Sequence, residues 1–508
     1  MTDRKESFKG DATHYEDKHD AEIAHAKAPH VADTFADAYV DPTLQISDAE
    51  NTALRRRAHR RILPFLCLAY LCQALDKGTT GTSSIMGWQK DIGAKGQDYA
   101  LTSTLLWCGI ILGEPIANQC VRRFPVAKLL GGGILIWSAL LFGLAFSLAV
   151  PPVFAIRFLL GFFESLVGPC LLSLTVQWYR KEEQPFVSAM WQMMLGLNSM
   201  FGGILGFAFY HVQKNALRGW QWMTIAIAIF SLISGVVILL WLPDSPTKAR
   251  WASEEEKSKF VERVRVNNQG LKNTEFKREQ VMEAFTDPYT LLLFLLPFFQ
   301  TLIVGGINTF APLLINKAFG FSVLNAQLLN IPMGVMTVLM YLLIQYLITK
   351  TNQTLLVMIG FTIPNIIGTI VLITVKPSPK TQGGLVVAFY AMQVFQACNP
   401  AIFLMLSRNS AGHTKKSITY AITYIGWAGG NAIAPQFFQS IWAPRYLNSL
   451  YIHLAMYGCF IATCLATRML LVSRNNKRIA AQGDNPPKNE LAFEDLTDLQ
   501  NPDFRYSI

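Results

Sequence analysis

Charge is scarce in this chain. Asp, Glu, Lys and Arg make up 15% of the 508 residues, where an ordinary soluble domain carries roughly 25%. There is no apolar core within the first 50 residues, which are charged and His-rich. That excludes a signal peptide and reads as a disordered cytoplasmic tail over 1–60. The eight cysteines (Cys67, Cys72, Cys108, Cys120, Cys170, Cys398, Cys459 and Cys464) all fall inside apolar segments. None has zinc-ligand spacing, so neither a disulfide framework nor a metal site is implied. No cluster of His, Cys, Asp or Ser marks an interfacial enzyme site. A single N-x-S/T sequon occurs, at Asn352-Gln353-Thr354. A net charge of +10 suggests nucleic acid at first sight. Membrane proteins concentrate Lys and Arg in cytoplasmic loops, which accounts for the excess without a nucleic-acid partner.

What the chain has instead is 51% hydrophobic residues, gathered into runs of about 20, the length of helix that crosses a 30 Å hydrocarbon core. Backbone polar groups in lipid must pair within their own segment, so these runs are expected to be helices. They fall at 62–82, 99–119, 126–147, 152–174, 187–210, 220–241, 289–311, 327–348, 354–375, 383–406, 417–438 and 449–471. The fold expected is an all-α membrane protein with 12 transmembrane helices in two six-helix bundles. The bundles span 61–242 and 289–472, joined by a charged linker over 243–288, with a cytoplasmic tail over 473–508. In the linker, Ser253 followed by Glu256 has capping-box spacing and predicts a helix start. Six plus six around a polar linker suggests two related halves with a site between them near mid-membrane.

Basic residues orient the chain. Arg55, Arg56, Arg57, Arg60 and Arg61 precede the first run. Arg122, Arg123 and Lys128 follow the second, and Arg180 and Lys181 the fourth. Arg408, Lys415 and Lys416 follow the tenth, and Arg474, Lys477 and Arg478 the last. All lie on one side of a 12-helix count, so both termini are expected to be cytoplasmic. The sequon then lies on the cytoplasmic side and should carry no glycan.

A charge at a helix centre costs about 2.5–3.5 kcal/mol on insertion scales, so each must be paired or face water. Five stand out: Asp76 and Lys77 in the first run, Glu114 in the second, and Arg157 and Glu164 in the fourth. At 1.5 Å per residue, Asp76 and Arg157 lie roughly 9 and 7 Å from the same membrane face, so they can pair. Lys77 points about 100° away from Asp76. Arg157 and Glu164 are seven residues apart on one helix face, roughly 10 Å along the axis, with Gly161 between them. That face offers a cation, a gap and a titratable acid. Arginine grips carboxylates with two donors and stays charged. A carboxyl in low dielectric exchanges protons near neutral pH. A fixed ion-pair network is the plainer alternative. Glu114, between Gly113 and Pro115, reads as a kink or gate contact.

The second half has no obvious buried charge in its runs. It has Asn308, Tyr390, Gln393, Gln396, Asn399, Tyr420, Tyr424, Trp427 and Asn431. Charge on one wall with amides and aromatics on the other suits a small anion with a polar or ring-bearing body. Any one of these residues alone is more often inter-helix glue.

At these residues a resemblance emerges. Arg157-Phe-Leu-Leu-Gly161-Phe-Phe-Glu164 resembles the R-x-x-x-G-x-x-E signature of anion:cation symporters of the major facilitator superfamily. Leu242-Pro243-Asp244-Ser245-Pro246 and Lys181-Glu182-Glu183-Gln184 resemble the fungal allantoate permease branch. So do Gly305-Gly306-Ile307-Asn308-Thr309-Phe310, Gly412-His413-Thr414-Lys415-Lys416 and Ala443-Pro444-Arg445-Tyr446. The resemblance implies the two-bundle fold, alternating access, proton symport and a fungal plasma membrane. It implies substrate contact at Arg157, and a proton as coupling ion at Glu164 and Asp76, with no other cofactor. Lys77, Asn308, Tyr390, Gln393, Asn399, Tyr424 and Trp427 join Arg157 as candidate substrate contacts. Glu114, Arg122 and Arg123 are candidate gating residues, although the usual charged turn between helices two and three is degenerate here. The expected function is import of a small organic anion by a monomer. An exporter or antiporter of the same fold is the nearest rival, and a nutrient sensor a further one.

Overall fold

Capping and proline placement set the elements, and burial packs them. A computed structural model describes residues 46–180, 182–212, 216–265, 277–482 and 496–508. Helix α1 (Asp48–Arg61) starts at Ser47, whose capping box with Glu50 satisfies two free backbone donors. The first half follows as α2 (Leu63–Ile85), α3 (Asp98–Arg123), α4 (Val126–Phe146), α5 (Val150–Glu164), α6 (Val167–Trp178), α7 (Gln184–Gln192), α8 (Met194–Tyr210) and α9 (Gly219–Trp241). The linker carries α10 (Glu254–Arg265) and α11 (Arg278–Thr286). Helix α10 starts at Ser253, where the expected capping box forms: Ser253 N donates to Glu256, and Glu256 N to Ser253 Oγ at 3.3 Å. The second half is α12 (Pro288–Leu313), α13 (Val323–Leu328), α14 (Asn330–Thr351), α15 (Thr354–Thr374), α16 (Gln382–Gln393), α17 (Cys398–Asn409), α18 (His413–Ile433) and α19 (Leu447–Gln482).

Ten helical segments among the described residues are long and apolar enough to cross a membrane. Helices α2 and α18 have spanning length but fail on hydropathy, because they carry the polar groups described below. With them the count is consistent with twelve. Leu240, Trp241, Ile367 and Met469 are among many large apolar side chains left exposed, as expected of a lipid-facing surface.

Asp244, from the Leu-Pro-Asp-Ser-Pro stretch, accepts from Ala127 N at 3.1 Å and so caps α4. The fourth run bends at Ser165–Leu166, between α5 and α6. Pro169 has no N–H to offer the carbonyl of Ser165 four residues back, which frees that turn. Gln73 Nε2 donates to Glu164 O at 3.0 Å just above the bend.

Helix α1 and residues 496–508 both pack on linker helices, so they share one face, here called the terminal face. On it each half has its own anchor. In the first half Arg263 of α10 donates to Asn51 at 2.7 Å, to Glu183 at 2.6 Å and to Trp178 O at 3.3 Å. In the second half Lys415 lies 2.9 Å from Glu283, 2.9 Å from Asp287 and 2.7 Å from Asp498. Arg474 joins at 2.5 Å from Asp287. Residues 496–508 of the C-terminal tail are seated, because Asp498 supplies a counter-charge to buried Lys415 and Tyr506 lies under Arg478.

The halves join near the opposite, far face. Tyr99 Oη donates to Thr309 O at 2.6 Å and Thr104 Oγ1 to Ala432 O at 2.7 Å. Gln436 Nε2 donates to Thr104 Oγ1 at 2.8 Å. Gly196 of α8 and Gly334 of α14 meet backbone to backbone nearer mid-membrane.

Candidate functional site

The site begins with two antiparallel helices of the first half. On α2, Asp76 and Lys77 are adjacent. On α5, Arg157 and Glu164 lie two turns apart, with Arg157 nearer the far face. Asp76 Oδ1 is 3.7 Å from Arg157 Nη1, so the pair expected from depth is present. Lys77 Nζ reaches the other way to Glu164 Oε2 at 2.8 Å. The four-carbon lysine stem spans the gap that one residue of helix rise could not. Asp76 and Glu164 are also neighbours within side-chain hydrogen-bond reach. Two acids and two bases thus form one cluster of balanced charge.

Access to the cluster is one-sided. Asp76, Arg157 and Glu164 are buried, at 1%, 5% and 0% exposed. The Lys77 side chain is 25% exposed. Arg157 was expected to face the substrate. It lines instead a small cavity inside the first half, together with the polar Asp76, Thr80, Ser83 and Thr224 and the apolar Leu141 and Leu144, with room for about one water at most. The expected gap at Gly161 is also absent. A Cβ there would lie 1.9 Å from Leu106 O. The glycine admits the backbone of α3, and Gly109 does the same against Phe158 O. The small residues of this motif are helix-packing contacts.

Lys77 faces the seam between the halves. Its ammonium lies 5.7 Å over the Trp107 ring of α3. Trp107 packs edge-on against Trp427 of α18 at 4.9 Å. Trp427 contacts Tyr424 at 5.2 Å, and Tyr424 stacks with Tyr420. Glu114 is a side-chain neighbour of Tyr424 across the same seam, and its Oε1 is 3.5 Å from Asn118 Nδ2. Tyr341 of α14 neighbours both Tyr70 of α2 and Gln396. A lysine thus looks into an aromatic surface built by both halves. Trp107, Tyr70 and Tyr341 were not singled out from sequence. The available signal was that Trp107 precedes Glu114 by two helical turns, on the same face.

The other expected contacts divide. Tyr424 and Trp427 belong to this surface. Tyr390 Oη is occupied, donating to Leu329 O at 2.6 Å, which fits inter-helix glue. Asn431 Nδ2 donates to Trp427 O at 2.9 Å. Asn308 is exposed. Gln393 Nε2 and Asn399 Oδ1 are buried and lack a partner among the described residues. Arg122 and Arg123 are exposed at the end of α3, away from the seam that Glu114 touches.

Comparison with known proteins identifies relatives of the chain and a solved structure of similar fold. The profile described as Major Facilitator Superfamily matches residues 66–435. The chain is 31% identical to the allantoate permease of Saccharomyces cerevisiae, over 92% of this chain and 88% of that one. It is 31% identical to a thiamine pathway transporter of the same yeast, over 89% and 85% of the two chains. In fold it is similar to a D-xylose–proton symporter, with a TM-score of 0.60 at 14% identity, covering 80% and 96% of the two chains.

Proposed function

The chain belongs to the major facilitator superfamily, and from that premise we propose that it imports a small organic anion with a proton by alternating access. It is a multi-pass membrane transporter and not an enzyme. The observation that carries the proposal is the Lys77–Glu164 pair, in which only the lysine is open to water. With Glu164 ionised, Lys77 is neutralised internally and offers an incoming anion little. A proton on Glu164 discharges the pair and frees the ammonium for the anion. Anion and proton therefore arrive together and leave together, and the empty cluster returns with its own charges paired.

Trp107, Tyr424 and Trp427 supply the faces against which a planar or ring-bearing body packs, and Glu114 sits two turns beyond Trp107 on α3, beside Tyr424. Asn399 and Gln393, each with an unmatched amide atom, are the second-half candidates for polar contacts. Arg157 holds Asp76 and so fixes α2 against α5, a positioning role. Of these relatives the allantoate permease has a named cargo, a small polar metabolite that is itself an anion. The termini are cytoplasmic in this reading and the membrane is the plasma membrane.

The test starts from a transporter-deleted fungus grown on ureides, vitamin carboxylates and sulfonates, followed by purified protein in liposomes with the labelled hit. Wild type should concentrate it when the outside is acidic. Glu164→Gln should still exchange labelled for unlabelled anion but should no longer concentrate it. Proton-driven accumulation by that variant sinks the coupling role of Glu164.

A further inference from the structure

A second concavity lies away from the seam, on the lipid-facing side of the first half. It is a groove of about 300 Å³ between α3, α4 and α5, lined by Ile116 and Cys120, by Lys128, Gly132 and Ile136, and by Phe163. Ile116 and Ile136 are 50% and 45% exposed, so the groove opens to the surface that meets lipid. Between Lys128 and Ile136 it runs eight residues of helix, about 12 Å. That keeps it within one leaflet of a 30 Å core, on the terminal side.

Missing side chains make the groove. Gly132 has nothing within 4 Å of where its Cβ would stand, so the wall there is bare backbone facing open space. At the membrane-surface end Lys128, which lines the groove, opens α4, and the exposed Arg122 and Arg123 end α3 just before it in the chain. None of the three has an ion-pair partner among the described residues. Asp244, the acid that meets this end of α4, is engaged in capping it through Ala127 N and Lys128 N. Glu114, one residue from the groove-lining Gly113, is directed to Tyr424 and Asn118 instead. The rim therefore keeps a net positive charge of two, three cations less one carboxylate.

We propose that this groove seats one acyl chain of an acidic phospholipid, with Arg122, Arg123 and Lys128 holding its headgroup. The apolar trough matches a hydrocarbon chain and the basic rim matches a phosphoserine or phosphoinositol head. Clusters of Lys and Arg between spanning helices at this depth attract such heads. Because α3 also forms the seam with α18, a lipid held here braces the helix that carries Trp107 and Glu114.

Native mass spectrometry of the full chain, released from micelles with added phosphatidylserine or phosphatidylcholine, tests it. Wild type should retain one phosphatidylserine in preference to phosphatidylcholine, and inorganic phosphate should not displace it. Gly132→Leu fills the trough and should lower retention of both lipids. Ile136→Trp, at the exposed edge, does the same if the first variant folds poorly. Replacing Arg122, Arg123 and Lys128 by Gln should remove the preference for serine lipid, by about fivefold for each cation lost, and leave phosphatidylcholine retention unchanged. Equal retention of the two lipids by wild type overturns the headgroup assignment. Unchanged retention by both trough-filling variants overturns the groove.

Discussion

Lys77 of α2 and Glu164 of α5 meet at 2.8 Å, and the carboxylate end of the pair is fully buried while the ammonium end is a quarter exposed. That asymmetry means the two partners are not equivalent under mutation. Removing the lysine strands an anion in low dielectric, whereas removing the acid leaves a cation that water can reach.

Lys77→Ala should therefore lower stability by about 3 kcal/mol, near the low end for breaking a buried pair. Glu164→Gln should cost clearly less, and Lys77→Met with Glu164→Gln should restore most of the loss. Thermal unfolding in detergent reads all three. Equal destabilisation by the two single variants would contradict the asymmetry.

Gly161→Ala should prevent correct assembly of the first half, since its Cβ would stand 1.9 Å from Leu106 O. Overpacking of this kind typically costs 1–3 kcal/mol, and backbone cannot move aside as a side chain can. Gly168→Ala is the control. It has nothing within 4 Å, and alanine in a helix gains about 0.5–1 kcal/mol over glycine. Size-exclusion profiles and melting temperatures should separate the two.

Ser103 and Thr309 approach to 3.3 Å between their hydroxyl oxygens across the far-face seam. Ser103→Cys with Thr309→Cys should cross-link under mild oxidation and stop uptake, and reductant should restore it. Uptake indifferent to oxidant would mean that this contact does not open during transport.

Asp287 opens α12 and contacts Lys415 and Arg474. Burial alone would push its carboxyl up, but Arg474 and Lys415 outweigh that and hold it below the usual carboxylate range. A depressed acid stabilises the fold above its unfolded value of about 3.9, and that contribution fades as pH falls through the lower folded value. Asp287→Asn should lower the melting temperature at pH 7 and flatten its decline below about pH 4. Asp498→Ala, which removes the tail's partner to Lys415, should destabilise in the same direction while leaving α12 capped.

Much of this was legible without coordinates. Twenty-residue apolar runs leave the chain little choice but helices in lipid, and the cost of charge in a span singles out Asp76, Lys77, Glu114, Arg157 and Glu164. Equal depth alone matched Asp76 with Arg157. Side-chain direction was less accessible. Arg157 and Glu164 share a stripe, yet which neighbour that stripe meets depends on how α5 rotates against α2 and α3. Gly161 settles this by letting α3 press against it, so the expected opening became a contact.

The aromatic surface and the terminal-face anchors were out of reach for a different reason. Trp107 meets Trp427, and Lys415 meets Asp498, only because segments far apart in the chain are packed together, and periodicity carries no information about such distant pairs. Composition and run length thus determined that this protein spans a membrane and which of its charges need partners, because solvation in lipid acts on each residue where it stands. Which partner each charge took, and which one of the four clustered charges kept partial exposure, was decided by the packing of one helix against another.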